Sequence, residues 1–515
     1  MATEIELKLA VGPEQLDALL AAPPMRAYAL GAPSVRRLTS TYYDTPDHQL
    51  AAAGVALRVR RFGDRVVQTV KSASTEHAVE RGEWEADLPE GRLDPSLVPE
   101  PELRARIEGL ANRLEERFVT DFDRATTVLR LPSGTELEVA VDRGELRAGD
   151  AVEPIHEVEL ELRSGSAADL WLLARWLHRT VPFRLGARSK AARGFALRSP
   201  PRLRAVKAPV VRLDPELSVE QAFKRIGSSC LSHLRSNERC AFAGTDVGGV
   251  HQMRVAARRL RSALSLFRKV LPPERTRRIR RRLRWLAAEL ADSRAWDVFA
   301  TETLAGLRQR LPKDAALAAL TGAVDRRRVA AYVRVRAAVG SPAYTRLLLD
   351  VGHWLAAERW PSAPGEAAER LAAPILPFAT EVLDRRRAKV MDAGRNLRRL
   401  RPKKLHQLRI ELKKLRYAAN FLGSLFPAGD AADFNKSASN LQDALGYVQD
   451  VADTPVLLEG LAHGGDPLLA RAIGAVAGWQ AAAEERARRV LPRRWKVLRK
   501  RGRFWAEAEE EPPAG

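Results

Sequence analysis

Residues 3–9 of the chain read T-E-I-E-L-K-L, and charged and apolar residues alternate along this stretch. Successive side chains of a β-strand point to opposite faces, so Glu4, Glu6 and Lys8 would share one face of such a strand. A half-buried sheet always has one polar face. By itself the stretch therefore predicts a strand, and it indicates no function.

The same alternation continues to about residue 200. It is clearest in V-A-L-R-V-R-R (55–61), E-L-E-V-A-V-D (136–142) and H-E-V-E-L-E-L-R (156–163). Glycine and proline residues separate these segments, as expected for turns. We predict a mainly antiparallel sheet of about eight strands, with short helices near 13–22, 101–110 and 166–179.

From about residue 215 the hydrophobic period changes to 3.6, which is typical of helices. The stretch V-H-Q-M-R-V-A-A-R-R-L-R-S-A-L-S-L-F (250–267) aligns without gaps on L-H-Q-L-R-I-E-L-K-K-L-R-Y-A-A-N-F-L (405–422). Identical residues include the His, the Gln and two Arg. This repetition predicts an all-α half built from two copies of a helical bundle.

The predicted fold class is therefore α+β and multidomain, with an N-terminal eight-stranded antiparallel β-barrel followed by an all-α domain of two repeated bundles. Prolines and charges between 199 and 209 suit a linker. The predicted boundaries are 1–200 for the first domain, 201–211 for the linker, 212–500 for the helical domain with repeats at 212–360 and 367–500, and 501–515 for the tail.

The charge of the chain is strongly asymmetric. Its formal net charge is +22, yet residues 1–200 hold 27 Lys and Arg against 31 Asp and Glu. The positive excess thus belongs to the helical half, which indicates a polyanionic partner. Cys230 and Cys240 form neither a disulfide framework nor a zinc motif. With no signal pattern and no long apolar run, we expect a cytoplasmic protein without a membrane anchor.

The charged faces of the predicted strands each carry almost only one sign of charge. A solvent-facing surface without a function would not need such a separation of charges. Like charges two residues apart on one strand repel, so a cation bound among the glutamates and an anion among the basic residues would relieve both. If the strands close into a barrel, these faces line its interior. Carboxylates without His or Cys favour hard cations such as Mg²⁺ or Mn²⁺.

Several motifs resemble one family. E-I-E-L-K at the N-terminus is similar to the ExExK signature of CYTH domains, the triphosphate tunnel metalloenzymes. Y-Y-D-T-P (42–46), L-R-V-R (57–60), the strand ending at Lys71, E-V-E-L-E-L (157–162) and R-S-K (188–190) follow in the family's order. The resemblance implies an eight-stranded tunnel that hydrolyses a triphosphate with Mg²⁺ or Mn²⁺.

The resemblance also implies roles for individual residues. The implied metal ligands are Glu4, Glu6, Glu157, Glu159 and Glu161. The implied substrate-binding residues are Lys8, Arg58, Arg60, Lys71, Arg130, Arg184 and Lys190. Glu4, Glu6 and Lys8 are the implied catalytic residues.

Two basic stripes follow the repeated helices. The first basic stripe consists of His251, Arg254, Arg258 and Arg261, and the second of His406, Arg409, Lys413 and Arg416. Each set has the spacing of one helix face, and its cations would repel one another unless phosphates lay across them. The motifs resemble the histidine motifs of CHAD domains, which implies binding of inorganic polyphosphate. A later element of that family is only partly kept, since Arg294 is present but Gln449 occupies the corresponding Arg position.

The favoured function is hydrolysis of tripolyphosphate to diphosphate and phosphate, with polyphosphate binding by the helical domain. One alternative is a non-catalytic polyphosphate-binding scaffold; others are a thiamine or nucleoside triphosphatase, or an adenylate cyclase of the CYTH family. Nucleic acid is disfavoured because the stripes carry almost no aromatic residue for base stacking. We expect association with polyphosphate granules in the cytoplasm, while the oligomeric state stays open.

Overall fold

A computed structural model describes residues 5–73, 81–88, 90–186, 188–358, 360, 365–462 and 465–506. The chain divides into two compact units. Unit 1 comprises residues 1–202 and 341–360, and unit 2 comprises residues 203–340 and 361–515. The segment 341–360 thus belongs to the first unit although it lies within the helical half of the sequence.

The strands all belong to unit 1. They are β1 Glu6–Ala10, β2 Ser34–Asp44, β3 Val55–Phe62, β4 Arg65–Ala73, β5 Arg81–Asp87, β6 Glu115–Arg130, β7 Glu136–Ala148, β8 Ala151–Ser164 and β9 Arg184–Leu185. They form one sheet in the order β5-β4-β3-β2-β6-β7-β8-β1-β9. Every neighbouring pair is antiparallel, so the predicted antiparallel sheet is confirmed.

The predicted count of eight strands and the predicted closure into a barrel are wrong for the part of the chain that the structure describes. That part forms nine strands in an open sheet, with β5 and β9 at its edges. The additional strand, β9, is only two residues long and pairs with Leu9 and Ala10 of β1. A two-residue strand is too short to show the period-two pattern from which strands are predicted.

The helices follow in chain order. In the first 202 residues they are α1 Pro13–Leu20, α2 Pro23–Ala27, α3 Gln49–Ala52, α4 Pro101–Glu108, α5 Ala167–Thr180 and α6 Lys190–Arg198. The later ones are α7 Val219–Ser236, α8 Glu238–Ala243, α9 Gly248–Leu266, α10 Pro273–Glu289, α11 Ala291–Val298, α12 Ala305–Arg310, α13 Ala315–Gly340, α14 Pro342–Ala356, α15 Glu366–Ala372, α16 Ile375–Ala393, α17 Pro402–Leu422, α18 Ala428–Ala462 and α19 Pro467–Lys500. None of the described helices is long and apolar enough to cross a membrane.

One face of the unit 1 sheet is apolar and lies beneath helices. Leu9 of β1 and Leu160 of β8 are fully buried, and α5 contacts both strands. Helix α14 packs on α5, where Arg175 and Asp350 form an ion pair at 2.9 Å. Burial of one leucine side chain stabilises the fold by about 1.5–3 kcal/mol. The apolar residues therefore determine which side of each strand packs against the helices. The opposite face must then carry the charged side chains.

The regular elements in the described part of unit 2 are all helices, with one isolated bridge between Ser218 and Pro374, so the predicted all-α half is confirmed. The repeated sequences form α9 and α17, which contact each other. Phe267, at the end of the first repeated stretch, packs against Phe223 with ring centroids 5.2 Å apart and against Phe378 of α16 at 4.8 Å. Residues of both predicted repeats therefore share one core.

Candidate functional site

A cavity of about 730 Å³ lies on the charged face of the sheet in unit 1. Many of the predicted site residues line it: Glu6, Lys8, Arg58, Arg60, Lys71, Glu159, Glu161 and Lys190. Residues to which the sequence assigned no role line it too: Tyr42, Glu83, Glu85, Arg124 and Ser189. The sheet thus gathers into one cavity side chains from distant parts of the chain.

The acidic wall of the cavity consists of Glu6, Glu159 and Glu161, and it arises from the pairing of β1 with β8. In this register Glu6 lies opposite Glu161, and Lys8 lies opposite Glu159. The Nζ of Lys8 donates to Glu6 at 2.9 Å and to Glu159 at 2.5 Å. Burial disfavours the charge on Lys8, but the two carboxylates outweigh it and raise the pKa of Lys8. At neutral pH Lys8 is therefore a fixed cation between two carboxylates.

Glu159 is the centre of this ion-pair network. It accepts hydrogen bonds from Lys8, from Lys190 at 3.2 Å and from Arg124 at 2.5 Å. Burial would raise the pKa of Glu159, but the three cations lower it well below its usual value. Arg124 also donates two hydrogen bonds of 2.7 Å to Asp142. Burial would lower the pKa of the Arg124 guanidinium, but Asp142 and Glu159 raise it. Glu159 is thus ionised throughout the physiological pH range.

Three carboxylates stand close enough to hold a metal ion. Ligand oxygens of Asp142, Glu157 and Glu159 all lie within 4.8 Å of one another. The donor set contains only oxygen atoms, which fits a hard divalent cation. Lys190 contacts all three carboxylates, at 2.6 Å in the case of Asp142. The carboxylates therefore fit a metal, although a metal at this cluster would compete with a buried ammonium.

The basic wall of the cavity consists of Arg58, Arg60 and Lys71. Arg60 is its least compensated cation. Its Nε donates to the Ser40 hydroxyl at 3.1 Å, and no described carboxylate forms a salt bridge with it. Burial and the charges of Arg58 and Arg124 lower the pKa of Arg60 to about 10. The positive charge of the Arg60 guanidinium is therefore not balanced by its described surroundings. An anion in the cavity would balance it.

The other two cations of the basic wall, Lys71 and Arg58, contact a glutamate and a tyrosine. Lys71 lies 2.6 Å from Glu83, and Arg58 lies 3.5 Å from the same carboxylate. Arg58 also donates to the hydroxyl of Tyr42 at 3.4 Å, and Tyr42 stacks on Phe118 at 4.4 Å. Burial would raise the pKa of Tyr42, but Arg58 and other cations lower it. The basic residues are thus held in place before any ligand binds.

In unit 2 the first basic stripe lies on α9 among further arginines. Burial, Arg294, Arg258 and Arg254 lower the pKa of His251 to about 4. Burial, Arg258 and Arg294 also lower the pKa of Arg254 to about 10. The Nη1 of Arg254 donates to the backbone oxygen of Ala287 at 2.6 Å. This stripe is a cluster of like charges that repel one another.

The second basic stripe, on α17, has a different environment at its histidine. The Nδ1 of His406 lies 2.6 Å from the Oε1 of Gln449 on α18. Gln449 occupies the position that corresponds to Arg294 in the first repeat. A hydrogen-bonding amide therefore replaces a repelling guanidinium beside the histidine. The two stripes share a spacing but differ in electrostatics.

Comparison with known families assigns both halves of the chain. The CYTH domain family matches residues 2–195, and the CHAD domain family matches residues 225–459. The chain contains a CYTH domain followed by a CHAD domain. Both resemblances found in the sequence are confirmed.

The chain is similar to three proteins of known description. An inorganic triphosphatase of Haemophilus influenzae is 33% identical over 216 residues. The match covers 39% of this chain and 56% of the relative, so the chain spans little more than half the length of that protein. The crystal structure of the CHAD domain from the plant Ricinus communis has 28% identity and a TM-score of 0.50, covering 58% of this chain and 98% of that one. PptA from Streptomyces chartreusis has 19% identity and a TM-score of 0.42, and the match covers 54% of this chain and 100% of that one.

Three predicted residues of the CYTH domain, Glu157, Arg130 and Arg184, do not line the cavity, and a fourth predicted residue falls outside the described part of the chain. Arg130 is exposed at the end of β6 and pairs with Glu136 at 2.7 Å. Arg184 is exposed on β9. Glu157 is buried beside Lys190, behind the cavity wall. Glu4 lies outside the residues that the structure describes.

Sequence reasoning missed Arg124, Asp142 and Tyr42. Asp142 continues the alternating face of Glu136 and Glu138, so its position could have been inferred. Arg124 lies in D-F-D-R-A-T-T (121–127), where charges of both signs are mixed, and only the structure reveals its contacts with Asp142 and Glu159.

The uncompensated charge of Arg60 predicts a conflict between stability and ligand binding. Because the pKa of Arg60 is lowered in the folded state, its charge costs stability at every pH below about 10. We expect Arg60→Met to raise the free energy of unfolding by about 1–3 kcal/mol and to weaken anion binding in the cavity. Urea unfolding at pH 7 measures the first effect. Exposed Arg36→Met, the matched control, should change stability by less than about 0.5 kcal/mol; equal effects of the two substitutions would contradict the assignment.

Proposed function

We propose that the CYTH domain hydrolyses tripolyphosphate to diphosphate and phosphate with Mg²⁺ or Mn²⁺, and that the CHAD domain binds polyphosphate. The observation that carries the first part is the division of one cavity into an acidic wall at Glu6, Glu159 and Glu161 and a basic wall at Arg58 and Arg60. A triphosphate bound with a divalent cation presents both signs of charge to such walls.

The relative from Haemophilus influenzae supports this proposal. It is described as an inorganic triphosphatase, and its similarity to this chain extends over 216 residues. Since the match covers 56% of that protein, the similarity supports the reaction of the CYTH domain and does not extend to the activity of the whole chain.

The basic wall is suited to hold phosphate oxygens. Arg60 gains most from an anion, because its own surroundings supply no salt bridge among the described residues. Arg58 and Lys71 share Glu83 and can exchange it for phosphate oxygens, which accept charge-assisted hydrogen bonds. One end of the bound triphosphate would contact the basic wall, and its other end would point toward Lys8.

The acidic wall is suited to hold the divalent cation. Glu6, Glu159 and Glu161 would be ligands on the cavity side, and Asp142 and Glu157 stand behind them. When bound, the cation neutralises phosphate oxygens and lowers the pKa of a coordinated water. Lys8 spans Glu6 and Glu159. Once those carboxylates are engaged elsewhere, the ammonium of Lys8 can turn to a phosphate oxygen.

Catalysis by these residues would be electrostatic. In phosphoryl transfer the transition state spreads negative charge over the transferred phosphoryl group and the leaving group. Cations held in place beforehand by Glu83, Glu159 and Tyr42 need little reorganisation to stabilise that charge. The network of pairs around the cavity therefore prepares the basic groups for the reaction.

Loss of one acidic ligand tests the enzyme hypothesis. We expect Glu6→Gln to lower kcat for phosphate release from tripolyphosphate by about 100-fold or more while thermal unfolding changes little. Glu145→Gln, on the exposed part of β7, is the control and should keep native activity.

The same assay separates the alternatives. Tripolyphosphate, diphosphate, ATP and thiamine triphosphate are each offered with Mg²⁺, Mn²⁺ or EDTA. Native turnover in the Glu6→Gln variant, or turnover in EDTA, would contradict the proposed metal site. Faster turnover of ATP or thiamine triphosphate would favour an organic triphosphatase. Absence of turnover for every substrate would leave a binding protein.

Binding of polyphosphate by the CHAD domain depends, in this proposal, on the two basic stripes. We expect the variant with Arg254, Arg258, Arg409 and Lys413 changed to Ala to bind long-chain polyphosphate at least about tenfold more weakly at low salt, because charge-assisted contacts are lost. The matched control changes exposed Arg308, Arg326, Arg486 and Arg493 to Ala, which removes the same net charge. Fluorescence anisotropy of labelled polyphosphate measures both. Equal losses of affinity in the variant and in the control would show that binding depends on net charge and not on the stripes.

His251 should report the arrival of an anion. Its pKa of about 4 results from burial and from Arg294, Arg258, Arg254 and His233, and a bound polyanion would favour the protonated ring. Binding at about pH 5.5 should then take up protons, because the unliganded histidine is neutral there and the liganded one is not. Calorimetry in buffers of different ionisation enthalpy measures the uptake. His251→Gln should abolish it; unchanged uptake would assign the proton to another group.

A further inference from the structure

A second cavity, of about 770 Å³, lies in unit 2, where the loop after α16 meets the last turns of α19. Its walls are Asn396, Leu397, Arg398, Arg399, Pro492, Trp495, Lys496, Arg499 and Lys500. None of these residues belongs to either basic stripe. No carboxylate is among them, and we call this site the α19 cavity.

The α19 cavity is held open by a packed frame. Pro492, Trp495, Lys496, Arg499 and Lys500 follow the spacing of one helix face, so their side chains project together. Trp495 is buried so closely over Gly394 that a β-carbon there would lie 2.2 Å from the indole. This contact fixes the end of α19 against the loop.

The loop supplies the remaining cations. It begins at Asn396, whose backbone is left-handed with φ 58°, and Leu397 is buried behind it. Burial of Leu397 leaves Arg398 and Arg399 on the exposed side. Cations of the loop and of the helix therefore surround the same space.

The cations of the α19 cavity differ from their neighbours in having no acidic partner. Nearby cations are paired: Arg395 with Asp392, Arg501 with Asp433, and Arg503 with Asp384. Within the described ranges no salt bridge or side-chain hydrogen bond involves Arg398, Arg399, Lys496, Arg499 or Lys500. The unpaired charges are thus concentrated around one cavity.

Two simpler explanations account for only part of this arrangement. Basic residues in the last turn of a helix stabilise its negative end by about 0.3–1 kcal/mol, which explains Arg499 and Lys500. That effect does not reach Lys496, one turn earlier, or Arg398 and Arg399 on the loop. A solvated basic face would separate its charges, whereas these converge and therefore repel one another.

We propose that the α19 cavity binds a short condensed phosphate such as tripolyphosphate. Five cations around a space of about 770 Å³ match an anion whose several charges lie on a compact chain. Leu397, Pro492 and Trp495 give the cavity an apolar side, so the ligand is held from the cationic side only. This site is independent of the basic stripes and of the CYTH cavity. It would let the helical domain sense the substrate or a short product.

Amine labelling of the full-length protein tests the site directly, because Lys496 and Lys500 line the cavity and a bound ligand would protect their amines from the reagent. In EDTA, with tripolyphosphate at ten times its dissociation constant, we expect their labelling rates to fall about tenfold by mass action. Exposed Lys269 and Lys313, outside the cavity, are internal controls and should change little. Mass spectrometry of the labelled peptides gives each rate. Sulfate at equal ionic strength should not protect.

A charge-matched pair of variants completes the test. Arg399→Ala with Arg499→Ala should abolish the protection of Lys496 and Lys500. Arg486→Ala with Arg493→Ala, which removes the same charge from exposed positions on α19, should leave it intact. Equal protection of all lysines, protection by sulfate, or protection that survives the first pair would overturn the proposal. The readout is local, so failure here is distinguishable from failure of triphosphate hydrolysis in the CYTH domain.

Discussion

The register between β1 and β8 is the constraint on which the cavity of unit 1 depends. It places Lys8 opposite Glu159 and Glu6 opposite Glu161. A slip by one residue would turn these side chains into the apolar layer and bring Leu7 and Leu9 to the cavity. Burial of those leucines under the helices excludes such a slip. The hydrophobic core therefore determines where the charges lie.

The two walls of the cavity differ in how far their charges are satisfied. Glu159 is surrounded by Lys8, Lys190 and Arg124, so its charge is compensated without a ligand. Arg60 has no comparable compensation, as its lowered pKa shows. A cation arriving alone would have to displace buried ammonium groups, and an anion arriving alone would compete with Glu83 for Arg58 and Lys71. Binding the two together lets the displaced cations contact the anion, which favours a metal-triphosphate complex over either component.

The sequence predicts most of this site because alternation assigns side chains to faces. Once Leu7, Val158 and Leu160 are placed in the core, Glu6, Lys8, Glu159 and Glu161 must lie on the other side. Alternation does not tell how far along a strand the cavity extends. Arg130, at the end of β6, therefore shares the predicted pattern, but it lies beyond the residues that line the cavity and pairs with Glu136. Contacts between non-adjacent strands, such as those of Arg124 with Glu159, need the tertiary structure.

The helical half shows how a sequence repeat can keep a geometry and change its electrostatics. His251 and Arg294 are neighbours in the first repeat, and the equivalent positions in the second are His406 and Gln449, which form a hydrogen bond. The two equivalent positions thus interact in both repeats, while one charge is lost. Because repulsion from Arg294 lowers the pKa of His251, the first repeat stores unfavourable electrostatic energy that an anion can release. Gln449 removes that contribution from the second repeat, so the repeats should bind a phosphate chain unequally, with the first responding more strongly to salt and pH.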